Sequence, residues 1–302
     1  MDIAIMLEGQ HGLNWERWQR IALAVEELGF AGLYRSDHFT NPEPPDYDSL
    51  ELWVSLTWLA SHTKRIEFGP MVAPLSFRNP VFAARIAKDI DALSGGRMIL
   101  GVGAGWQVRE HTNFGFDLLE IPERFARFKE GLEVMSQLLR RDEPANFQGT
   151  YYQLNDAQLL PKSSIPGRPP ILIGGNGPRR TLPLVAKFAD EWNAVYVTAE
   201  RFAELNTRLN ELLDENGRQP SDIRRSLMTG VLFDQGDGKV QEKLGERSLD
   251  EALANGLIGG TPSMMVEQMG KLGEVGVERV LLQWMDLDDM DGLEALAKGV
   301  IG

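Results

Sequence analysis

The stretch Ser94-Gly95-Gly96-Arg97-Met98-Ile99-Leu100-Gly101-Val102-Gly103-Ala104-Gly105-Trp106 sets the plan that the rest of the chain repeats. Met98 to Val102 is a short apolar run bounded by glycine on both sides, the pattern of a strand buried on both faces in a parallel sheet. The alternating Gly101, Gly103 and Gly105 leave no side chains in the way, so a flat ring or a phosphate has room to lie against the backbone. Trp106 adds one large aromatic face beside that gap. A tight strand-to-loop turn without a ligand fits this segment alone equally well. A dinucleotide fingerprint, G-x-G-x-x-G/A, does not fit. Its sixth position is Trp106 counted from Gly101, Val108 counted from Gly103 and Arg180 counted from Gly175. A nicotinamide Rossmann domain is therefore disfavoured.

Outward from this unit the same alternation recurs. Ile3 to Leu7 reads as the first strand. Asn14 is placed to cap a helix whose apolar stripe is Trp15, Trp18, Ala22, Val25 and Leu28. Gly32 to Arg35 is the second strand, and a proline-containing loop then leads to a helix from Ser49. Ile66 to Ala73 is the third strand, distorted by Pro70 and Pro74. Asn79-Pro80 opens the next helix. The quoted stretch supplies strand four, and Pro122 to Leu139 its helix. Strands five to eight fall at Ile171 to Ile173, Trp192 to Val197, Ser226 to Phe233 and Arg279 to Gln283. Helices are expected at Thr181 to Ala189, Arg201 to Asn216 and from Thr261-Pro262 to Leu272. Eight such units predict an α/β fold, a (β/α)8 TIM barrel, as one domain over residues 1–302. Insertions are expected after helix 4 (about 140–170, with a hairpin at Ala145 to Tyr152) and after strand 7 (about 234–260).

Composition narrows the function classes. A formal charge of -13 argues against nucleic acid or an anionic membrane as partner. With no cysteine there are neither disulfides nor thiolate metal sites, and no His or carboxylate spacing marks a metal centre. No membrane-length apolar run and no signal-peptide n-region are present, so the expectation is a cytoplasmic protein.

In a barrel of this kind chemistry sits at the carboxyl ends of the strands. That rule selects Glu8, Asp37 and His38, Met71 to Ser76, Gly103 to Arg109, Asn176 to Arg180, Asn193 to Tyr196, and Gln283 with Trp284. These are glycine-rich, aromatic and arginine-containing, a set better suited to a planar anionic cofactor than to a metal. Here the chain resembles the luciferase-like monooxygenases, in the branch that uses the deazaflavin coenzyme F420. The resemblance rests on Leu28-Gly29-Phe30-Ala31-Gly32-Leu33-Tyr34 leading into Ser36-Asp37-His38-Phe39, on Phe77-Arg78-Asn79-Pro80, and on the quoted glycine stretch with Glu110-His111 and Phe114-Gly115. Pro169-Pro170-Ile171-Leu172-Ile173-Gly174-Gly175-Asn176-Gly177-Pro178-Arg179 and Ala189-Asp190-Glu191-Trp192-Asn193 extend it, the last with glutamate where the family has glycine.

The resemblance implies that Asp37 binds the ring region and that His38 stands near the reactive carbon. It implies a bulge with a non-proline cis peptide at Met71-Val72, next to Ala73, supporting the ring. Asn176 and Gly177, flanked by Gly175 and Pro178, are expected to hold the phosphate at a helix start. Gly103, Ala104, Gly105, Trp106, Arg109 and Arg179 complete the expected cofactor site, with Arg78, Arg109, Arg179 and Arg180 answering an acidic tail. The family's sugar-phosphate dehydrogenases carry a tryptophan soon after S-D-H-F and a glutamate just after the strand-four glycines. Thr40-Asn41-Pro42 and Trp106 stand there instead, so sugar phosphate oxidation is not expected. The expected activity is hydride transfer between F420 and a small organic substrate, with His38 as proton carrier and Glu8 as second choice. A flavin mononucleotide (FMN) monooxygenase, a hydrolase using Glu8 and Asp37, and a non-enzymatic flavin-binding protein are the alternatives. A homodimer is expected from the resemblance and from Leu52, Trp53, Leu56 and Trp58, a stripe too wide for one helix face.

Overall fold

Local signals place the elements close to where the sequence reading puts them. A computed structural model describes residues 1–163, 165–233 and 239–301. After β1 (Asp2–Leu7), the Asn14 side chain accepts from Arg17 N at 3.1 Å and starts α1 (Trp15–Glu27). Following β2 (Gly32–Arg35), α2 (Leu52–His62) begins later than Ser49, because the Glu51 carboxylate takes Val54 N as its cap. The third predicted strand is two pieces, β3 (Glu67–Pro70) and β4 (Ala73–Pro74), separated at the cis Met71–Val72 peptide. Next come α3 (Pro80–Ser94), capped by Asn79, and β5 (Leu100–Gly103). A short α4 (Val108–Phe114) lies where only a loop was expected, ahead of α5 (Ile121–Arg140).

The first insertion holds an antiparallel hairpin of β6 (Ala145–Gln148) and β7 (Gln153–Ala157), so Gly149 to Tyr152 is its turn rather than its second strand. Alternation resumes with β8 (Ile171–Gly174), α6 (Thr181–Phe188), β9 (Glu191–Val195), α7 (Ala199–Glu215) and β10 (Arg224–Phe233). Of the second insertion, residues 234–238 lie outside the described residues. The remainder forms α8 (Lys239–Leu244), α9 (Leu249–Ala254) and β11 (Ile258–Gly260), which extends the end of β10 in parallel. Then come α10 (Pro262–Glu274), β12 (Arg279–Gln283) and α11 (Met290–Val300).

The main sheet runs β3-β2-β1-β12-β10-β9-β8-β5-β4. Its two ends are halves of one interrupted strand, and Phe68 of β3 also bridges Met98. The sheet therefore closes on itself as an eight-stranded parallel barrel with helices outside. Side chains alternate across it. Ala4, Met6, Tyr34, Met71, Ile99, Leu172, Met228 and Leu281 fill the lumen, while Ile5, Leu7, Leu33, Val102, Ile173 and Leu282 pack outward under the helices. Three of the four α2 residues in the wide stripe, Leu52, Trp53 and Leu56, are consumed in that outer layer. The stripe thus finds its cover within the chain.

The amino-terminal end of the barrel is closed by charge. The Arg279 guanidinium, 1% exposed, bonds Tyr34 Oη at 2.5 Å, Glu191 Oε2 at 3.4 Å and Glu67, which Arg224 also reaches at 3.1 Å. Glu191, the residue that replaces glycine in the resemblance, thus meets a partner from β12. Burial raises its carboxyl above the usual range, with Arg279 pulling the other way. No helix among the described residues is long and apolar enough to cross a membrane.

Candidate active site

At the opposite end the strand termini surround a cavity of 690 Å³, within the range of small-molecule sites. Nearly every strand contributes: Met6 and Glu8 from β1, His38 after β2, Met71 and Val72 from the break, Gly105 and Trp106 after β5. Gly174 and Gly175 follow from β8, Asn193 and Tyr196 from β9, Met228 from β10 and Gln283 from β12.

His38 is positioned from behind. Its Nδ1 lies 3.0 and 3.2 Å from the two oxygens of Glu110, a residue on α4 that is 1% exposed. Glu110 also accepts Phe39 N at 3.1 Å. A carboxylate with donors on both sides fixes the proton on Nδ1 and leaves Nε2 to exchange a proton on the cavity side. Burial lowers the imidazole's affinity for a proton, but the Glu110 hydrogen bond and charge outweigh it, and the pKa is raised above its ordinary value. The Trp106 ring meets His38 edge-on at 5.6 Å. Glu8, by contrast, is already used as an acceptor, by Gln283 Nε2 at 2.5 Å and Gln10 Nε2 at 2.9 Å. Gln283 in turn accepts from the Tyr196 hydroxyl, whose pKa is raised by burial and by Glu8.

The glycines after strand four have a different use from the one read in the sequence. A Cβ on Gly101 would fall 2.1 Å from Pro70 O, and one on Gly103 would fall 2.6 Å from Val72 Cγ2. The space beside them is taken by the bulged third strand, so they let the protein, rather than a ligand, approach closely. Gly105, at φ +85, would place a Cβ 2.1 Å from Ser76 Oγ. Val72 is thereby pushed into the cavity wall. Ala73 and Ala104 stay behind it, packed in the core.

Several expected positions lie off this cavity. Asp37 is clasped by Arg78 through two 2.8 Å bonds and does not line the lumen, so the Glu8–Asp37 pair that hydrolysis needs is not assembled. Arg78 is further held by Glu51 at 2.9 Å. Arg109 is paired with Asp46 at 2.6 Å. Neither arginine is left for a cofactor tail. Asn176 turns its amide to Val195, bonding its O at 2.6 Å and its N at 2.9 Å, and so locks the loop after β8 to β9. Gly177, Pro178, Arg179 and Arg180 instead form a second pocket of 330 Å³ with Ile121 and Phe125 at the start of α6. Arg179 and Arg180 are exposed and enter no ion pair among the described residues.

One residue that the strand-end rule selected without a role is distinctive. Asn193 is fully buried, and its Nδ2 donates to Ser226 Oγ at 3.0 Å while that hydroxyl donates to Trp192 O. The orientation of the amide is thus fixed. Its Oδ1 is left buried without a donor, and the residue is among those that line the cavity. Such an atom costs free energy unless something supplies the missing hydrogen bond. Glu110 and Asn193 were both visible in the motifs E-H and W-N, but only as letters of a pattern.

Comparison with known proteins agrees with this architecture. F420-dependent glucose-6-phosphate dehydrogenase of Kineococcus radiotolerans is 28% identical over 93% of this chain and 82% of its own. The enzyme of the same name from Tsukamurella paurometabola is 30% identical over 92% and 82%. An F420-dependent secondary alcohol dehydrogenase, solved with an F420-acetone adduct, superposes with a TM-score of 0.86 over 99% of this chain and 98% of that one, at 19% identity. The luciferase-like monooxygenase model matches residues 1–274, and the chain belongs to that family.

Proposed function

We propose that this chain is an F420-dependent oxidoreductase moving a hydride between the deazaflavin and a small organic substrate. The observation that carries the reading is Asn193, a cavity-lining residue whose buried Oδ1 lacks a donor: a ligand with an N–H would supply one, and the pyrimidine-dione edge of a deazaflavin has one. Met71 and Val72 supply an apolar backing for a flat ring. The Gly177–Arg180 turn, with free amides and two uncommitted cations, suits a phosphate followed by an acidic tail. That second feature favours F420 over FMN, which ends in one phosphate.

When bound, F420 supplies the hydride acceptor or donor. The chain supplies the rest. His38 Nε2 takes the proton from a substrate hydroxyl, or returns it to a carbonyl oxygen, while Glu110 holds the ring and stabilises the imidazolium. Trp106 and Met228 add apolar surface that limits water in the cavity. Single-domain organisation over residues 1–302, a cytoplasmic location and a homodimer belong to the same proposal. A cysteine-free chain suits a reducing compartment, and exposed Val54 and Phe82 on the neighbouring α2 and α3 offer a contact surface. Titration of the purified protein with F420, followed by deazaflavin fluorescence, tests the reading for wild type and Asn193→Ala. Wild type is expected to bind in the micromolar range or tighter, and the variant at least ten-fold more weakly.

A further inference from the structure

Resting on that reading, we infer that the substrate is an uncharged, largely apolar alcohol or its carbonyl partner, and that phosphate esters are excluded. The first observation is charge. Among the described residues no lysine or arginine lines the 690 Å³ cavity, whereas two carboxylates, Glu8 and Glu110, do. Four guanidinium groups carried by elements around the site are committed elsewhere. Arg78 is held by Asp37 and Glu51, and Arg109 by Asp46. Arg35 spends its donors on Ser36 O, Ser55 and Leu50 O, and Arg124 on Gly105 O, Leu118 O and Leu119 O. A phosphate dianion entering here would shed water, meet two carboxylates and gain no lysine or arginine, while the His38 imidazolium is already neutralised by Glu110.

The second observation is the wall. Four of the chain's 11 methionines, Met6, Met71, Met228 and Met285, line the cavity. Unbranched thioethers adapt to apolar surfaces of varied shape. Of the polar lining residues, His38 is the one the proposed chemistry leaves free to orient a substrate oxygen, since the Tyr196 hydroxyl is spent on Gln283. The site thus departs from what the names of the sugar-phosphate dehydrogenases at 28–30% identity describe.

Saturation-transfer NMR on the protein without F420 tests the binding claim by itself, with cyclohexanol, cyclohexanone and glucose 6-phosphate as probes. The alcohol and ketone are expected to give signals that compete with each other, and glucose 6-phosphate none. Met285→Lys, at a half-exposed position on the rim, is expected to gain glucose 6-phosphate binding at least ten-fold. With F420 present, kcat/KM for cyclohexanol should exceed that for glucose 6-phosphate at least a hundred-fold. Binding of glucose 6-phosphate to the unaltered protein would overturn the inference, as would comparable kcat/KM values. Probe binding with the expected preference but no F420 binding would leave this inference standing and remove the proposed function instead.

Discussion

Glu110, buried on the first turns of a seven-residue helix, holds His38 Nδ1 at 3.0 Å from 72 residues further along the chain. The imidazole is thereby fixed in tautomer and orientation, with a raised proton affinity, at the wall of the cavity. His38→Ala is expected to lower turnover by about 10²- to 10⁴-fold, the usual worth of a positioned acid-base group. F420 affinity should stay within a few fold. Steady-state kinetics and a fluorescence titration on one preparation separate the two effects, and unchanged turnover would remove His38 from the mechanism.

The pH profile reports on Glu110. In the oxidising direction His38 must start neutral at Nε2, so the rate should rise with pH through a pKa above the ordinary histidine value. In the reducing direction it should fall through the same value. Glu110→Gln keeps the volume but removes the charge, and its limb should move to lower pH. A profile that does not move assigns Glu110 a packing role only.

The same raised pKa couples to stability. A folded-state value above the unfolded one means that proton binding favours the folded protein. The contribution is full below the unfolded value of about 6.5 and is lost as pH rises through the folded value. Urea unfolding of wild type and His38→Asn across this window should therefore show the wild-type advantage shrinking as pH increases. An advantage that grows with pH would contradict the electrostatic account of the pair.

At the other end of the barrel, Arg279→Met leaves Glu191 and Glu67 without their main partner. It should cost about 3–5 kcal/mol, the penalty for breaking a buried ion pair from one side. Equilibrium denaturation measures this. A loss under 1 kcal/mol would mean that the carboxylates simply take up protons.

Much of the barrel was legible because its strands are short apolar runs punctuated by glycine, and because Asn14 and Asn79 are caps that act within three residues. Pro70 and Pro74 even marked the strand that breaks. What escaped the sequence depends on contacts between distant segments. Gly101 and Gly103 are small to admit Pro70 and Val72 of another strand, which no local pattern reports. Asp37 and Arg78 are 41 residues apart and pair with one another, a contact that no local pattern reports. Asn193 gains its meaning only from Ser226, which satisfies one end of its amide and leaves the other bare.

The glycine account carries its own test. Gly101→Ala drives a methyl into a backbone carbonyl, and overpacking of this kind costs about 1–3 kcal/mol. Because the displaced strand carries Val72, F420 binding should weaken in parallel with thermal stability. A variant that loses stability while keeping full F420 affinity would separate the glycines from the cofactor site.

The central claim is the choice of cofactor, and a salt-dependent binding comparison tests it most directly. F420 carries several negative charges beyond its phosphate, and only Arg179 and Arg180 remain free among the expected arginines to meet them. Titrations of the protein without cofactor should show F420 binding in the micromolar range or tighter and weakening as salt rises. Arg179→Ala and Arg180→Ala should each cost about two- to five-fold. FMN should bind more weakly and with less salt dependence. Equal affinity for the two, or FMN co-purifying at stoichiometry, would contradict the assignment.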